Sequence, residues 1–224
     1  MNPEQRENQR YAVQDYCPIS KEEKIMFSLL TQYTKKRKIA PHEISILDIG
    51  CGSGKISKEL IKKGYQVTGL DFSEKAVEKA RAQGVQARRA NLDEGIPESN
   101  ESYDIIWAGD IVEHVFDPIG LLKESARVLK RGGIMLITIP NDVGIVSRLK
   151  ILFGISHQEQ MYQTSGFYKH HTFFTPRLIR FMLKKSGLCE RVFQKILIIG
   201  KKRILIRFLP SAFYNEMIIQ AEKV

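Results

Sequence analysis

The chain has 224 residues, enough for one compact domain with a sizeable core. Its 43% hydrophobic and 27% charged residues are ordinary for a globular protein, and no run approaches the ~20 apolar residues of a membrane-spanning helix. The net charge of +10 sits in the C-terminal third, where Val143 to Val224 holds 14 Lys/Arg against 4 Asp/Glu.

That imbalance reads either as a solvated basic face or as contact with an anionic partner: a carboxylated or phosphorylated substrate, RNA, or an anionic membrane surface. Cys17, Cys51 and Cys189 are odd in number and far apart. They offer no disulfide framework and no zinc signature, and fit a reducing, cytoplasmic compartment. The stretch Met1 to Tyr16 is polar and has no apolar signal region.

Residues 1–19 show no regular pattern. Lys21 to Lys38 carries Ile25, Phe27, Leu29, Leu30 and Tyr33 at helical spacing and ends in four basic residues, which suit the negative end of a helix dipole. Residues 1–40 are therefore expected to form a segment and helix packed on a main domain spanning 41–224.

The organising stretch follows. Ile44, Ile46, Leu47 and Ile49 make an apolar, mostly β-branched strand. Gly50, Cys51, Gly52, Ser53 and Gly54 make a turn that a ligand can approach closely, with Cys51 a small residue that fits it. Ile56, Leu60 and Ile61 begin a helix that Gly64 stops. The dinucleotide fingerprint G-x-G-x-x-G is not matched. Instead the turn is one residue shorter, and Asp48 stands two positions before the first glycine. An acid there suits a cation better than a pyrophosphate.

Asp48 to Gly54 resembles motif I of the class I S-adenosylmethionine-dependent methyltransferases. The resemblance implies S-adenosylmethionine as cofactor, with Asp48, Gly50, Cys51, Gly52 and Gly54 at its methionine end. It also implies an N-terminal helix lying over the cofactor.

Tyr65 to Ser73 is a second strand ending in Asp71, ~20 residues after the turn, where a carboxylate can accept both ribose hydroxyls. Ser73 is the better helix cap, which leaves Asp71 and the neighbouring Phe72 for the cofactor. Gly84 to Ala90 is a third, less apolar strand. In the resembling family the acid after it reads the adenine amino group; here Asn91 stands at that position, with Leu92 beside it, and the Asn91 carbonyl can take that part.

Tyr103 to Ala108 is the fourth strand. Asp117 and Pro118 open a helix with a buried face that includes Leu121, Leu122 and Val128. Lys130 to Gly133 is expected to end it, and Ile134 to Ile139 to form the fifth strand. Asn141 to His171 is irregular apart from an amphipathic piece near Val146 to Phe153, and 141–172 is expected to be a substrate loop or lid. His157 in it has no informative context. Thr175 caps a further helix with Pro176 in its first turn and Gly187 at its end. Leu188 to Ile199 is a sixth strand and Asn215 to Lys223 the last.

Lys201 to Pro210, both basic and apolar, reads as a packed connection or as a peripheral membrane contact. The fold class is α/β: a Rossmann-like, doubly wound, mostly parallel seven-stranded sheet with helices on both faces and an antiparallel last strand.

Between the fourth strand and its helix, Asp110-x-x-Glu113-His114 supplies the catalytic candidates Asp110, Glu113 and His114. On a helical turn the first acid would share a face with the other two. The segment is similar to the Glu-x-x-Glu-His signature of metal-dependent O-methyltransferases acting on quinone precursors and on small RNAs. That similarity implies a Mg²⁺ set of Asp110, Glu113 and His114, completed by His170 or His171; without a metal, His114 serves as general base or as a structural residue. The activity implied is O-methylation of a small metabolite, quinone precursor or glycan. The alternatives are an RNA methyltransferase, from the basic C-terminal third, and a non-catalytic cofactor-binding partner subunit.

Overall fold

The computed structural model describes residues 18–156, 170–199, 202–206 and 210–224. Residues 1–17, His157 and the rest of 157–169, Gly200, Lys201 and 207–209 lie outside the described residues, as do the expectations that rest on them.

The chain opens with α1 (Lys21–Arg37), held at its start by a capping box in which the Ser20 hydroxyl accepts from the Glu23 N–H and the Glu23 carboxylate accepts from the Ser20 N–H. There follow β1 (Ser45–Ile49), α2 (Lys55–Lys62), β2 (Gln66–Asp71), α3 (Glu74–Ala82) and β3 (Gln86–Arg89). Next come β4 (Tyr103–Gly109), α4 (Pro118–Val128), β5 (Leu129–Pro140), α5 (Ile145–Leu152) and α6 (Pro176–Lys185). The chain closes with β6 (Leu188–Ile199), β7 (Lys202–Ile206) and β8 (Glu216–Lys223).

All eight strands form one sheet in the order β3-β2-β1-β4-β5-β8-β6-β7. β1 to β5 are mutually parallel where they pair, and β8 runs antiparallel to both β5 and β6. The reversal of strand order between β1 and β4 opens a crevice at their carboxyl ends, where ligands of such sheets bind.

Side chains alternate across the sheet. Ile46, Ile105, Trp107 and Leu136 face α1 and α2, with Met26, Leu30 and Leu60 packed on them. Leu47, Ile49, Ile106 and Ile137 face the other way, onto Leu121 and Leu122 of α4 and Ile179 and Leu183 of α6. Helices therefore cover both faces.

Two details differ from the sequence reading. The helix after Asp117 stops at Val128, and β5 begins at once with Leu129, which pairs with Tyr103 across a register shift. Lys130 is drawn into the strand by its ion pair to Asp104 at 2.8 Å. The sheet also has an eighth strand, β7, inside the basic, apolar stretch after β6. It forms an antiparallel edge hairpin with β6, and its Arg203 pairs with Glu22 of α1 at 2.8 Å. A β-branched and basic run satisfies edge-strand chemistry, because edge lysines and arginines blunt further pairing.

Candidate active site

The glycine turn sits at the carboxyl end of β1. Gly50 and Gly54 have φ of +72° and +83°, and a Cβ would lie 2.8 Å from Ile111 at the first and 2.9 Å from the Ala80 Cβ at the second. Only glycine fits both demands. Four of the turn's five N–H groups are committed within the protein: Gly50 and Cys51 donate to the Leu70 carbonyl, Gly54 to that of Cys51, and Gly52 to the Asp71 carboxylate at 2.8 Å. A phosphate cradle needs such amides aimed at the ligand. This turn instead presents carboxylates.

Asp48 is buried, and its carboxylate accepts from the Ser57 hydroxyl of α2 at 2.5 Å. Burial pushes its pKa up to about 7; the Ser57 hydrogen bond opposes this, and the charges of Asp71 and Glu23 add to it. Asp48 thus braces α2 beneath the turn and contributes negative potential. Asp71 is also buried, and accepts from Gly52 N–H on one oxygen and from Ser73 N–H (2.9 Å) on the other. The Cys51 thiol turns away from the turn's open side into a small cluster with Val77, Ala80, Val85 and Ala87, so only its backbone faces a ligand.

Phe72 follows Asp71 and is flanked by Arg89, whose guanidinium lies 5.7 Å from the ring centroid. Asn91 caps a short turn by accepting from Asp93 N–H, and its amide donates to Glu94. Asn91 also lines a cavity of about 370 Å³ with Arg89 and Glu94. Leu92 packs against the core.

The segment after β4 departs from the helical reading. Only Val112–His114 turns, as one 3-10 turn, and Asp110 takes a left-handed φ of 50°. The Asp110 carboxylate accepts from the Thr138 hydroxyl of β5 at 2.8 Å. Asp110 therefore does not share a helical turn with Glu113 and His114, although its charge acts on Glu113.

Glu113, His114 and His170 do come together. One ligand atom from each lies within 4.8 Å of the others. The rings of His114 and His170 meet edge to face at 5.0 Å between centroids. His171 points elsewhere, onto Phe116 at 4.1 Å. Glu113 is 1% exposed, and its Oε2 has no hydrogen-bond partner among the described residues. Burial holds the Glu113 carboxyl well above its usual range, and nearby Asp110 adds to this. Two imidazoles and an unsatisfied carboxylate fit either a cation or a shared proton.

Sequence reasoning missed several supporting residues. Glu23 pairs with Lys55 at 2.8 Å, bringing the start of α1 against the first residue of α2, beside the turn. Thr138 anchors Asp110, and a lone hydroxyl in the apolar run of β5 was the available signal. Asp142 accepts from the Phe174 N–H at 2.5 Å, tying the loop after β5 to the histidine segment. No local pattern announces that pairing.

Comparison with known proteins agrees with this geometry. Residues 47–137 match the family model of a methyltransferase domain. A ubiquinone biosynthesis O-methyltransferase of Vibrio vulnificus is 26% identical over 155 residues, covering 65% of this chain and 64% of that protein. The chain thus spans just under two thirds of the length of such curated relatives. Among solved structures, an S-adenosylmethionine-dependent methyltransferase of Methanosarcina mazei is 26% identical with a TM-score of 0.61, over 81% of this chain and 92% of that one. Magnesium protoporphyrin IX methyltransferase of Synechocystis, solved with bound S-adenosylhomocysteine, shares the fold at 16% identity and a TM-score of 0.65, over 97% of this chain and 93% of that one.

Proposed function

We propose, for a chain that belongs to the class I S-adenosylmethionine-dependent methyltransferases, that it methylates a hydroxyl oxygen of a small organic acceptor. The observation that carries this reading is the glycine turn, four of whose amides are spent internally, with the Asp71 carboxylate bonded to it and Asp48, ionising near neutrality, beneath it. Such a turn favours a cationic, phosphate-free nucleoside over a dinucleotide.

Bound S-adenosylmethionine supplies an electrophilic methyl group on a good leaving group, so the protein's contribution is alignment, exclusion of water and removal of one proton. In this reading Gly50, Cys51, Gly52 and Gly54 present their backbone to the methionine end. Asp71 accepts from the ribose hydroxyls. Phe72, Asn91 and Leu92 border the adenine. The start of α1, drawn in by the Glu23–Lys55 pair, borders the site. The described ends of the 141–172 stretch, at Asn141–Asp142 and His170–Thr172, border the acceptor side.

His114 takes the acceptor's hydroxyl proton on a ring nitrogen, with His170 packed edge-on against it. Positioned general bases of this kind contribute ~10²–10⁴-fold. A second reading is favoured by the unpartnered Glu113 Oε2: Glu113, His114 and His170 hold a divalent cation such as Mg²⁺, which would acidify the acceptor hydroxyl. The ubiquinone O-methyltransferase relatives support a phenolic quinone precursor as acceptor.

Calorimetric titration with S-adenosylmethionine, S-adenosylhomocysteine and NAD, followed by methyl transfer to a panel of catechols and hydroxyquinones, tests the proposal. Micromolar binding of the first two alone, with turnover on a phenolic acceptor, is expected. Binding without transfer to any hydroxyl acceptor would point to the non-catalytic partner reading. Stimulation by Mg²⁺, with loss on chelation, would select the cation.

A further inference from the structure

A second cavity, of about 580 Å³, lies apart from the glycine turn. It is enclosed by α5, the first turns of α6, β6 and the segment leading to β8. Its lining includes Arg148, Arg177, Arg180 and Lys195, and no acidic side chain among the described residues. Arg180 is already paired with Glu190 at 2.8 Å. Arg148 and Arg177 have no acidic partner among the described residues, and each is exposed at the cavity. Arg148 is steadied by donating its Nε–H to the Val143 carbonyl at 2.8 Å.

Two further features point to an anion. The first turn of α6, a helix of 10 residues, lines the cavity with Thr175, Pro176 and Arg177, so the positive end of its dipole is added to the side-chain charges. Ser211 supplies a hydroxyl and Tyr214 a further lining side chain. Four of the 14 Lys/Arg of the C-terminal third, whose excess charge the methyl-transfer reading leaves unused, line this cavity.

We propose that this cavity is a binding site for a phosphate-class oxyanion, gripped by the guanidinium groups of Arg148 and Arg177. Guanidinium forks match phosphoryl oxygens in pairs. The oxyanion can come from a soluble phosphorylated compound or from a phospholipid headgroup. The second source has a structural basis. α5, which carries Arg148 to the cavity, leaves Leu149, Leu152 and Phe153 exposed at its surface (47%, 76% and 78%). The loop after β5 and the start of α6, which carry Val143 and Thr175 to the cavity, are joined next to it by the bond between Asp142 and Phe174.

Calorimetry with inorganic pyrophosphate, and co-sedimentation with phosphatidylglycerol against phosphatidylcholine vesicles, test the site on the full chain. Pyrophosphate binding that falls at least tenfold in Arg148→Ala/Arg177→Ala, with S-adenosylmethionine affinity unchanged, is expected. Retention of partial affinity in Arg177→Lys and its loss in Arg177→Glu would separate charge from folding. Vesicle binding that requires phosphatidylglycerol and is competed by pyrophosphate assigns the headgroup; pyrophosphate binding without vesicle binding assigns the soluble source. No binding of either probe, or equal binding by the double variant, overturns the proposal.

Discussion

The His171 backbone N–H donates to the Glu113 backbone carbonyl at 2.8 Å. This bond fastens a segment 58 positions downstream onto the turn after β4, and so brings His170 edge-on to His114. The candidate centre exists only because these two loops are stitched together.

From that pairing, His114→Ala is expected to lower turnover by ~10²–10⁴-fold, the usual contribution of a positioned base. Cofactor affinity should stay within about twofold, since the turn that would hold the cofactor is untouched. Single-turnover methyl transfer and calorimetry read the two quantities separately. Wild-type turnover in this variant would make His114 structural.

Asp71→Ala removes the acceptor of both the Gly52 and Ser73 N–H bonds and, in the proposed site, of the ribose hydroxyls. Charged hydrogen bonds of this kind are worth ~1.5–3 kcal/mol, so S-adenosylmethionine affinity should weaken by roughly ten- to a hundredfold. Asp71→Asn keeps acceptor capacity on one oxygen and should lose less. Equal affinity in all three proteins would place the ribose elsewhere.

Asp48 predicts a pH dependence. Its carboxyl is raised in the fold from 3.8 to about 7, so the folded state holds a proton that the unfolded chain releases. The stabilisation is complete below about pH 4, declines as pH rises by up to about 1.4 kcal/mol per pH unit, and is lost once the folded group ionises near neutrality. Thermal melts of the ligand-free protein, referenced to Asp48→Asn, should show this decline between pH 4 and 7. Affinity for the cationic S-adenosylmethionine should rise with pH over the upper part of that range, because the ionised carboxylate adds negative potential beside the turn. A flat difference curve would argue against a protonated Asp48.

Gly54→Ala should destabilise the protein by about 2 kcal/mol or more. A left-handed φ costs an L-residue ~1–2 kcal/mol, and the new Cβ would press on Ala80 at 2.9 Å with its Cα at 3.0 Å. At this chain length that is a drop in melting temperature of roughly 4–8 °C, accompanied by loss of cofactor binding. Cys51→Ala, by contrast, should keep turnover, since the thiol packs in the core rather than the site.

Much of the fold was legible because local chemistry and tertiary placement agree. The apolar run before Gly50 is a buried strand, Asp117 and Thr175 cap the helices that follow them, and the Leu188–Ile199 strand spans the residues read from the sequence. The β4–α4 segment was less legible. Its Asp-x-x-Glu-His spacing suggests one helical face, but spacing cannot reveal that Thr138, 28 residues downstream, captures Asp110. Likewise, β7 looked like a connection, because an exposed edge strand lacks the alternation that burial imposes.

The sequence by itself determined the α/β class, the glycine turn with acids at Asp48 and Asp71, and the basic bias of the C-terminal third, since each is a property of contiguous residues. Only the tertiary structure decided which histidine joins His114, that Thr138 anchors Asp110, and that the arginines of α5 and α6 share one cavity. Those relationships are set by hydrogen bonds and packing between segments tens of residues apart, and no local period or spacing encodes them.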